Sequence, residues 1–144
     1  MDHQQTLRPT APTISVAVAA FNEQDNVEPL YRSVAAVLDP LFPGAWELIF
    51  VDDGSTDATW ARIEGLAASE PRIRGYRLSR NFGQQDALFA GMQAASGDAT
   101  ITMDCDLQHP PEVLSEMVAR WREGHAIVKT ERLPSAGESP FKRL

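Results

Sequence analysis

Two carboxylates stand one residue apart behind an apolar run, in the segment "TMDCDLQHPPE" at residues 102–112. In an extended chain, residues two apart project to the same side, so Asp104 and Asp106 face one way and Cys105 the other. Two such charges repel each other unless a cation lies between them. Carboxylates, with the amide oxygen of Gln108, are the hard ligands that Mg²⁺ or Mn²⁺ prefers. The spacing therefore favours a divalent-metal site that also bridges to substrate phosphates, with solvated loop carboxylates as the alternative.

Two further polar clusters follow apolar runs. In "AAFNEQD", Phe21 could offer its ring to a nucleotide base, and Glu23 could accept hydrogen bonds from a base or ribose. In "VDDGSTD", Asp52 or Asp53 could accept a hydrogen bond from the N–H of a base. The alternatives are structural, namely Phe21 in the core and a tight turn that ends in a helix cap at Asp57.

These clusters belong to a chain in which strands alternate with helices. Apolar and β-branched runs predict strands over 13–20, 47–53, 73–79, 99–105 and 126–129. Arginines alternate with apolar residues in the third strand, which places it near an edge of the sheet. Helical spacing predicts helices over 27–38, around 60–67, over 82–96 and over 111–124. In the third helix, the predicted buried stripe is Leu88, Met92 and Ala95.

Alternation with short connections requires right-handed crossovers and a mostly parallel sheet. In such sheets, ligands bind beyond the carboxyl ends of the strands. The three polar clusters follow the first, second and fourth strands, so all of them lie at that edge. This convergence predicts one binding site built from three loops.

Composition narrows the class of protein. The chain has 144 residues, which suits one domain, and a net charge of −7, which argues against nucleic acid as a partner. The single cysteine excludes a disulfide framework and favours the cytoplasm. No apolar stretch approaches the ~20 residues that span a bilayer. Residues 1–13 are polar and punctuated by proline, and are expected to form a flexible arm.

Together these segments resemble the family 2 glycosyltransferases with a GT-A nucleotide-sugar domain, and most closely their polyprenyl-phosphate (dolichol-phosphate mannose synthase-like) branch. The matching residues are "AAFNE", "VDDGSTDAT", "LSRNFGQQDAL.AGM..ASGD", "MDCDLQHPPE" and "ER...AGES..KR". The resemblance covers about residue 14 to the end. The chain departs from it at Ala19, Phe21 and Thr130, where the family usually has proline, tyrosine and glycine.

The resemblance implies a Rossmann-like GT-A domain over residues 14–132, with a mostly parallel sheet that is flanked by helices and truncated after the fifth strand. Residues 133–144 would form a loop at the start of a missing acceptor-side region. The implied site residues are Asp104 and Asp106 as catalytic metal ligands, Gln108 beside the metal and the diphosphate, Arg132 at the phosphates, and Phe21, Glu23, Asp52 and Asp53 around the nucleoside.

The implied activity is a metal-dependent, inverting transfer of sugar from a UDP- or GDP-linked donor to a polyprenyl phosphate. The metal is Mg²⁺ or Mn²⁺, and the full-length protein would work at the cytoplasmic face of the membrane. The acceptor phosphate is already ionised near neutral pH, so no histidine base is required. Three alternatives stay open: a nucleotide-binding fragment without activity, a haloacid-dehalogenase-type phosphatase that uses Asp104 as nucleophile and Asp106 as acid/base, and a receiver-like signalling domain.

Overall fold

The computed structural model describes residues 13–130, in which four strands alternate with four helices. In chain order the elements are β1 (Ile14–Ala20), α1 (Val27–Leu41), β2 (Trp46–Asp52), α2 (Thr59–Ser69), β3 (Ile73–Arg77), α3 (Gln84–Ala94), β4 (Ala99–Asp104) and α4 (Pro111–Arg122). The strands form one sheet in the order β3-β2-β1-β4, and every pair is parallel. The predicted parallel α/β fold and the edge position of β3 are confirmed.

The strand register brings the polar loops to one edge. Ala19 of β1 pairs with Val51 on one side and with Asp104 on the other. The carboxyl ends of β1, β2 and β4 therefore lie side by side, and the loops that follow them share one rim of the sheet. This is the edge at which open parallel sheets bind ligands.

One face of the sheet carries the main hydrophobic core. Helices α1, α2 and α4 cover it, and their large apolar residues pack on alternate residues of the strands. Fully buried examples are Val16, Val18, Leu38, Leu48, Phe50 and Ile63. This face supplies most of the apolar burial that stabilises the fold.

The other face is covered by α3, and the predicted stripe of that helix is only partly right, because Ala95 packs against this face but Met92 does not. Ala87 and Gly91 point at the sheet, whereas Met92 is 49% exposed. A Cβ atom at position 91 would lie 3.0 Å from the Cβ of Ala17. The helix therefore lies so close to the strands that small residues face them, although helical periodicity alone favours larger ones.

The predicted fifth strand is also wrong, because residues 126–129 have no regular structure. After α4 the chain turns at Gly124, which has a positive φ of 101°, and His125 donates its N–H to the carbonyl of Arg120. The segment then runs beside the core without joining the ladder of β4, and Ile127 is 88% exposed. β-Propensity over four residues does not form a strand without a backbone partner.

Two boundaries complete the description. Helix α1 continues through Pro40, beyond its predicted end. Pro40 has no N–H to donate, but the N–H of Phe42 still bonds to the carbonyl of Leu38 and closes the last turn. Within residues 13–130, no helix is both long and apolar enough to cross a membrane. Residues 1–12 and 131–144 lie outside the described residues, and with them all but the last residue of the predicted arm 1–13, the predicted loop 133–144 and Arg132.

Candidate active site

A cavity of about 310 Å³ opens at the carboxyl ends of the strands. Loops after all four strands contribute to it, through Ala19, Ala20, Phe21, Glu23, Asp53, Asn81, Gly83, Gln84, Asp104, Cys105 and Asp106. Five of the predicted site residues are thus brought together: Phe21, Glu23, Asp53, Asp104 and Asp106. Asp52 and Gln108 are not part of this wall.

The cavity is strongly acidic. Its described wall contains four carboxylates, those of Glu23, Asp53, Asp104 and Asp106, and no lysine or arginine. An anionic ligand would meet only repulsion there unless a cation bound with it. The charge distribution therefore favours a metal complex over a bare anion.

Asp104, the last residue of β4, and Asp106, in the loop that follows, face the cavity. Cys105 between them is 2% exposed and packs in the main core, as the spacing predicts. Burial raises the pKa of the Cys105 thiol to about 12, and the carboxylates of Glu23 and Asp106 act in the same direction. Because the Cys105 side chain packs in the core, the ligands that this segment offers to the cavity are the carboxylate oxygens of Asp104 and Asp106.

The two acids are held by different neighbours. The backbone N–H of Gln108 donates to Oδ1 of Asp106 at 3.1 Å, across a turn in which Leu107 has a positive φ of 60°. Asp104 accepts a hydrogen bond at Oδ1 from the side-chain amide of Gln84, which is the first residue of α3. One acid is thus oriented by its own loop and the other by a separate helix.

Asp52 and Asp53 are adjacent but occupy different environments. Asp53 accepts the backbone N–H groups of Phe82 and Gly83, at 2.8 and 3.1 Å, and also faces the cavity. Asp52 is fully buried, accepts the N–H of Ser55 at 3.1 Å, and its Oδ2 lies 3.4 Å from Nε of Arg77. Its position explains the shape of the turn, while nucleoside binding by Asp52 stays a prediction.

The loops after β1 and β2 are joined by hydrogen bonds. Asn22 donates its N–H to Oγ of Ser55 at 2.8 Å and accepts the N–H of Thr56 at 2.9 Å. Glu23 donates its N–H to Oγ1 of Thr59 at 2.8 Å. These bonds fix Glu23 relative to the turn after β2.

Phe21 lies on the cavity wall and is 45% exposed, so the alternative that placed its ring in the core is wrong. An aromatic face at the mouth of a cavity is available for stacking against a base. The exposed ring of Phe21 and the side chain of Glu23 therefore lie on the same wall.

Asp57 also differs in detail from its predicted role. The N-cap position of α2 is Ala58, and Asp57 instead accepts the N–H of Thr59 at 2.9 Å and its hydroxyl at 2.5 Å. Burial raises the pKa of Asp57, but the hydrogen bonds from Thr59 and Gln24 outweigh it, so the pKa lies below its usual value.

Sequence reasoning missed the contribution of the loop after β3. Asn81, Gly83 and Gln84 line the cavity, whereas the neighbouring Arg80 stacks on Phe82, with its guanidinium carbon 3.9 Å from the centroid of the ring. The signal was available, because this loop also follows a parallel strand and therefore lies at the same rim.

A glycine makes the approach of this loop possible. Gly54 has a positive φ of 75°, and a Cβ atom there would lie 2.5 Å from backbone atoms of both Arg80 and Asn81. No real Cβ atom is accommodated at that distance. The turn after β2 and the loop after β3 are therefore in backbone contact.

Comparison with known proteins agrees with this geometry. The model of glycosyl transferase family 2 matches residues 15–144. The chain is 39% identical over 130 residues to the bactoprenol glucosyl transferase of Shigella phage SfV, covering 90% of this chain and 42% of that protein. It is 38% identical over 120 residues to the undecaprenyl-phosphate 4-deoxy-4-formamido-L-arabinose transferase of Salmonella paratyphi A, covering 83% and 36%. The chain spans about two fifths of the length of these relatives.

Solved structures extend the likeness to the fold. TarS residues 1–349 of S. aureus, in complex with UDP-GlcNAc, superposes with a TM-score of 0.63 at 26% identity, covering 77% of this chain and 31% of that one. The glucosyl-3-phosphoglycerate synthase of Mycobacterium tuberculosis, in complex with Mn²⁺, UDP and glucosyl-3-phosphoglycerate, gives 0.57 at 29% identity, covering 77% and 40%. The family match over residues 15–144, the polyprenyl relatives and these neighbours show that the protein belongs to glycosyl transferase family 2, has a GT-A fold and falls in the polyprenyl-phosphate branch.

Proposed function

We propose that this chain forms the donor site of a metal-dependent, inverting glycosyltransferase. The enzyme takes a sugar from a UDP- or GDP-linked donor and transfers it to a polyprenyl phosphate. Because that acceptor is a membrane lipid, the full-length protein works at the cytoplasmic face of a membrane. The observation that carries the proposal is the acidic cavity at the carboxyl rim, in which Asp104 and Asp106 lie together with Phe21 and Glu23.

The donor set suits Mg²⁺ or Mn²⁺. Asp104 and Asp106 offer hard oxygen ligands, and the Cys105 side chain between them is buried in the core. Among residues 13–130, no group of three or more His, Cys, Asp or Glu side chains is arranged to hold a metal ion. Mg²⁺ characteristically binds through one or two carboxylates and completes its shell with substrate phosphates and water. The site therefore fits a cation that enters with the donor diphosphate.

The residues after β4 are assigned to the metal and the diphosphate. Asp104 and Asp106 would hold the cation, with the Gln108 amide oxygen as a further predicted contact and Arg132 as a predicted contact of the phosphates. A bound divalent cation stabilises the negative charge that the departing nucleoside diphosphate acquires. The acceptor phosphate oxygen attacks the anomeric carbon from the opposite side, which inverts its configuration. This oxygen is already ionised, so the cavity wall needs no general base.

The nucleoside is assigned to the loops after β1 and β2. The exposed Phe21 ring stacks on the base, and Glu23 accepts hydrogen bonds from the base or ribose. Asp53 has both oxygens engaged by backbone N–H groups, but a carboxylate has about four acceptor sites and retains capacity for a base N–H. The UDP-GlcNAc and UDP complexes of the structural neighbours support this class of ligand.

Calorimetric titration with UDP and GDP, each with and without Mn²⁺, tests the proposal. We expect Mn²⁺ to lower the dissociation constant of the nucleotide by roughly tenfold or more. Loss of a residue that only orients a metal ligand typically weakens metal affinity by about 10–100-fold, and omission of the metal itself should have at least as large an effect. Asp106→Ala should remove this gain. Glu64→Ala is the matched control, since it deletes one exposed carboxylate on α2 and leaves the rim intact.

Two results would contradict the proposal: nucleotide binding that is indifferent to Mn²⁺, or a Mn²⁺ effect that persists in Asp106→Ala. A transfer assay with a polyprenyl phosphate then separates the active enzyme from a nucleotide-binding fragment. The fragment binds the donor in a metal-dependent manner but forms no lipid-linked sugar.

A further inference from the structure

The cavity contains an amide side chain that comes from none of the three loops with which the site was predicted. Gln84 lies at the first position of α3, on the wall that also holds Asp104 and Asp106. Its Nε2 donates a hydrogen bond to Oδ1 of Asp104. Of the two glutamines near the acids, Gln84 lines the cavity, whereas Gln108 reaches Asp106 through its backbone N–H.

The position of Gln84 is itself determined by the neighbouring strand. The two residues before it, Phe82 and Gly83, donate their N–H groups to the Asp53 carboxylate, and the first helical turn closes through the N–H of Ala87 and the carbonyl of Gly83. Asp53 therefore anchors the start of α3, and α3 presents Gln84 to the end of β4.

We propose that Gln84 is a positioning residue for Asp104, which holds one oxygen of this carboxylate so that the group is oriented for the cation. This inference rests on the function proposed above. An amide is suited to the task because it donates a hydrogen bond without bringing a positive charge that would compete with the metal. Side chains that orient metal ligands in this way are typically worth about 10–100-fold in metal affinity.

The arrangement also connects the two ends of the site. Asp53 faces the nucleoside part of the cavity, and the same carboxylate holds the segment from which Gln84 reaches the metal part. The loop from Phe82 to Gln84 is therefore a direct structural link between the two acids Asp53 and Asp104.

Gln84→Met tests the inference, because methionine keeps the length of the side chain and removes the amide. The measurement is the dissociation constant of UDP or GDP, whichever binds more tightly, with and without Mn²⁺. We expect the constant with Mn²⁺ to rise about tenfold and the constant without metal to change less than about twofold. Gln85→Met is the matched control, being the same exchange at the next residue, which lies outside the cavity wall.

The outcomes separate the two proposals. A wild-type nucleotide affinity that does not respond to Mn²⁺ overturns both. A wild-type response that survives intact in Gln84→Met overturns the role of Gln84 and leaves the proposed function standing. Equal losses in Gln84→Met and Gln85→Met, or a loss of metal-free binding in Gln84→Met, also overturn it, because each indicates a general disturbance of α3. Thermal melting establishes that each variant is folded, with Gln84→Ala as the substitute if Gln84→Met is not.

Discussion

The two halves of the rim are built in different ways. The β1–β2 half, formed by residues 21–24 and 53–59, is joined by hydrogen bonds from backbone N–H groups to side-chain oxygens of the opposite loop. The β4 half, formed by residues 104–108, holds two like charges with one side-chain amide and one backbone N–H. In the first half, the buried hydroxyls of Ser55 and Thr59 accept backbone N–H groups of the opposite loop. In the second half, the carboxylates of Asp104 and Asp106 face the cavity.

The difference follows from what each half is proposed to bind. A base is recognised by groups that are already in place, so a preorganised frame reduces the ordering cost of binding. A cation instead needs carboxylates whose charge has not been neutralised by the protein. Repulsion between such acids lowers stability until the cation arrives, which is a common compromise at functional sites.

The largest expected effect comes from a substitution at Gly54 in the β1–β2 half, where the turn after β2 contacts the loop after β3. In Gly54→Ala, the new methyl group meets the backbone of Arg80 and Asn81 at 2.5 Å, and the residue must keep a positive φ. The backbone conformation costs about 1–2 kcal/mol and overpacking about 1–3 kcal/mol. The free energy of unfolding should therefore fall by about 2–5 kcal/mol in urea denaturation.

Gly44→Ala is the control for this change. Gly44 also has a positive φ, 67°, but no atom lies within 4 Å of the position that its new methyl group would take. Its loss should be limited to the backbone term of about 1–2 kcal/mol. Equal losses in the two variants would show that the turn after β2 is not in tight contact with the loop after β3.

A smaller loss is expected when one hydroxyl is removed from the same half. Thr59 is fully buried, accepts the N–H of Glu23 and donates to Asp57. Thr59→Val keeps the shape and leaves both partners without this bond, which should cost about 1–3 kcal/mol. Thr100→Val, on the exposed edge strand β4, should stay within about 0.5 kcal/mol. Denaturant midpoints that shift equally would refute the view that these hydroxyls hold the loops together.

Much of this architecture follows from the sequence for a clear reason. Apolar runs such as 14–20 and 46–52 are long enough to specify strands, and the polar residues that end them reach the rim whatever the packing of the helices. The alternation of Asp104, Cys105 and Asp106 needs only the two-residue period of an extended chain. The placement of Asp104 and Asp106 on the cavity side and of Cys105 in the core could therefore be predicted before any tertiary contact was known.

The remaining features depend on the distances between helices and strands, which the spacing of apolar residues in the sequence does not specify. Helical spacing selects Leu88 and Met92 because they are large, but the close approach of α3 to Ala17 admits only small residues on that face. The contact of Gln84 with Asp104 likewise depends on how far α3 lies from β4. Such contacts are determined by the packing of the helices on the whole sheet, and no local sequence pattern predicts them.

The smallest expected effect lies in the β4 half and has the opposite sign. Asp106→Asn removes one of two neighbouring charges and keeps an oxygen for the N–H of Gln108. Without metal, the variant should be as stable as wild type or more stable by up to about 0.5 kcal/mol, and this gain should shrink at high ionic strength. With Mn²⁺ and UDP the order should reverse, because the wild type binds this pair more tightly and therefore gains more stability from it. Thermal melting under both conditions checks this, and a metal-free loss larger than that of Thr59→Val would mean that the acids are structural, as the residues of the β1–β2 half are.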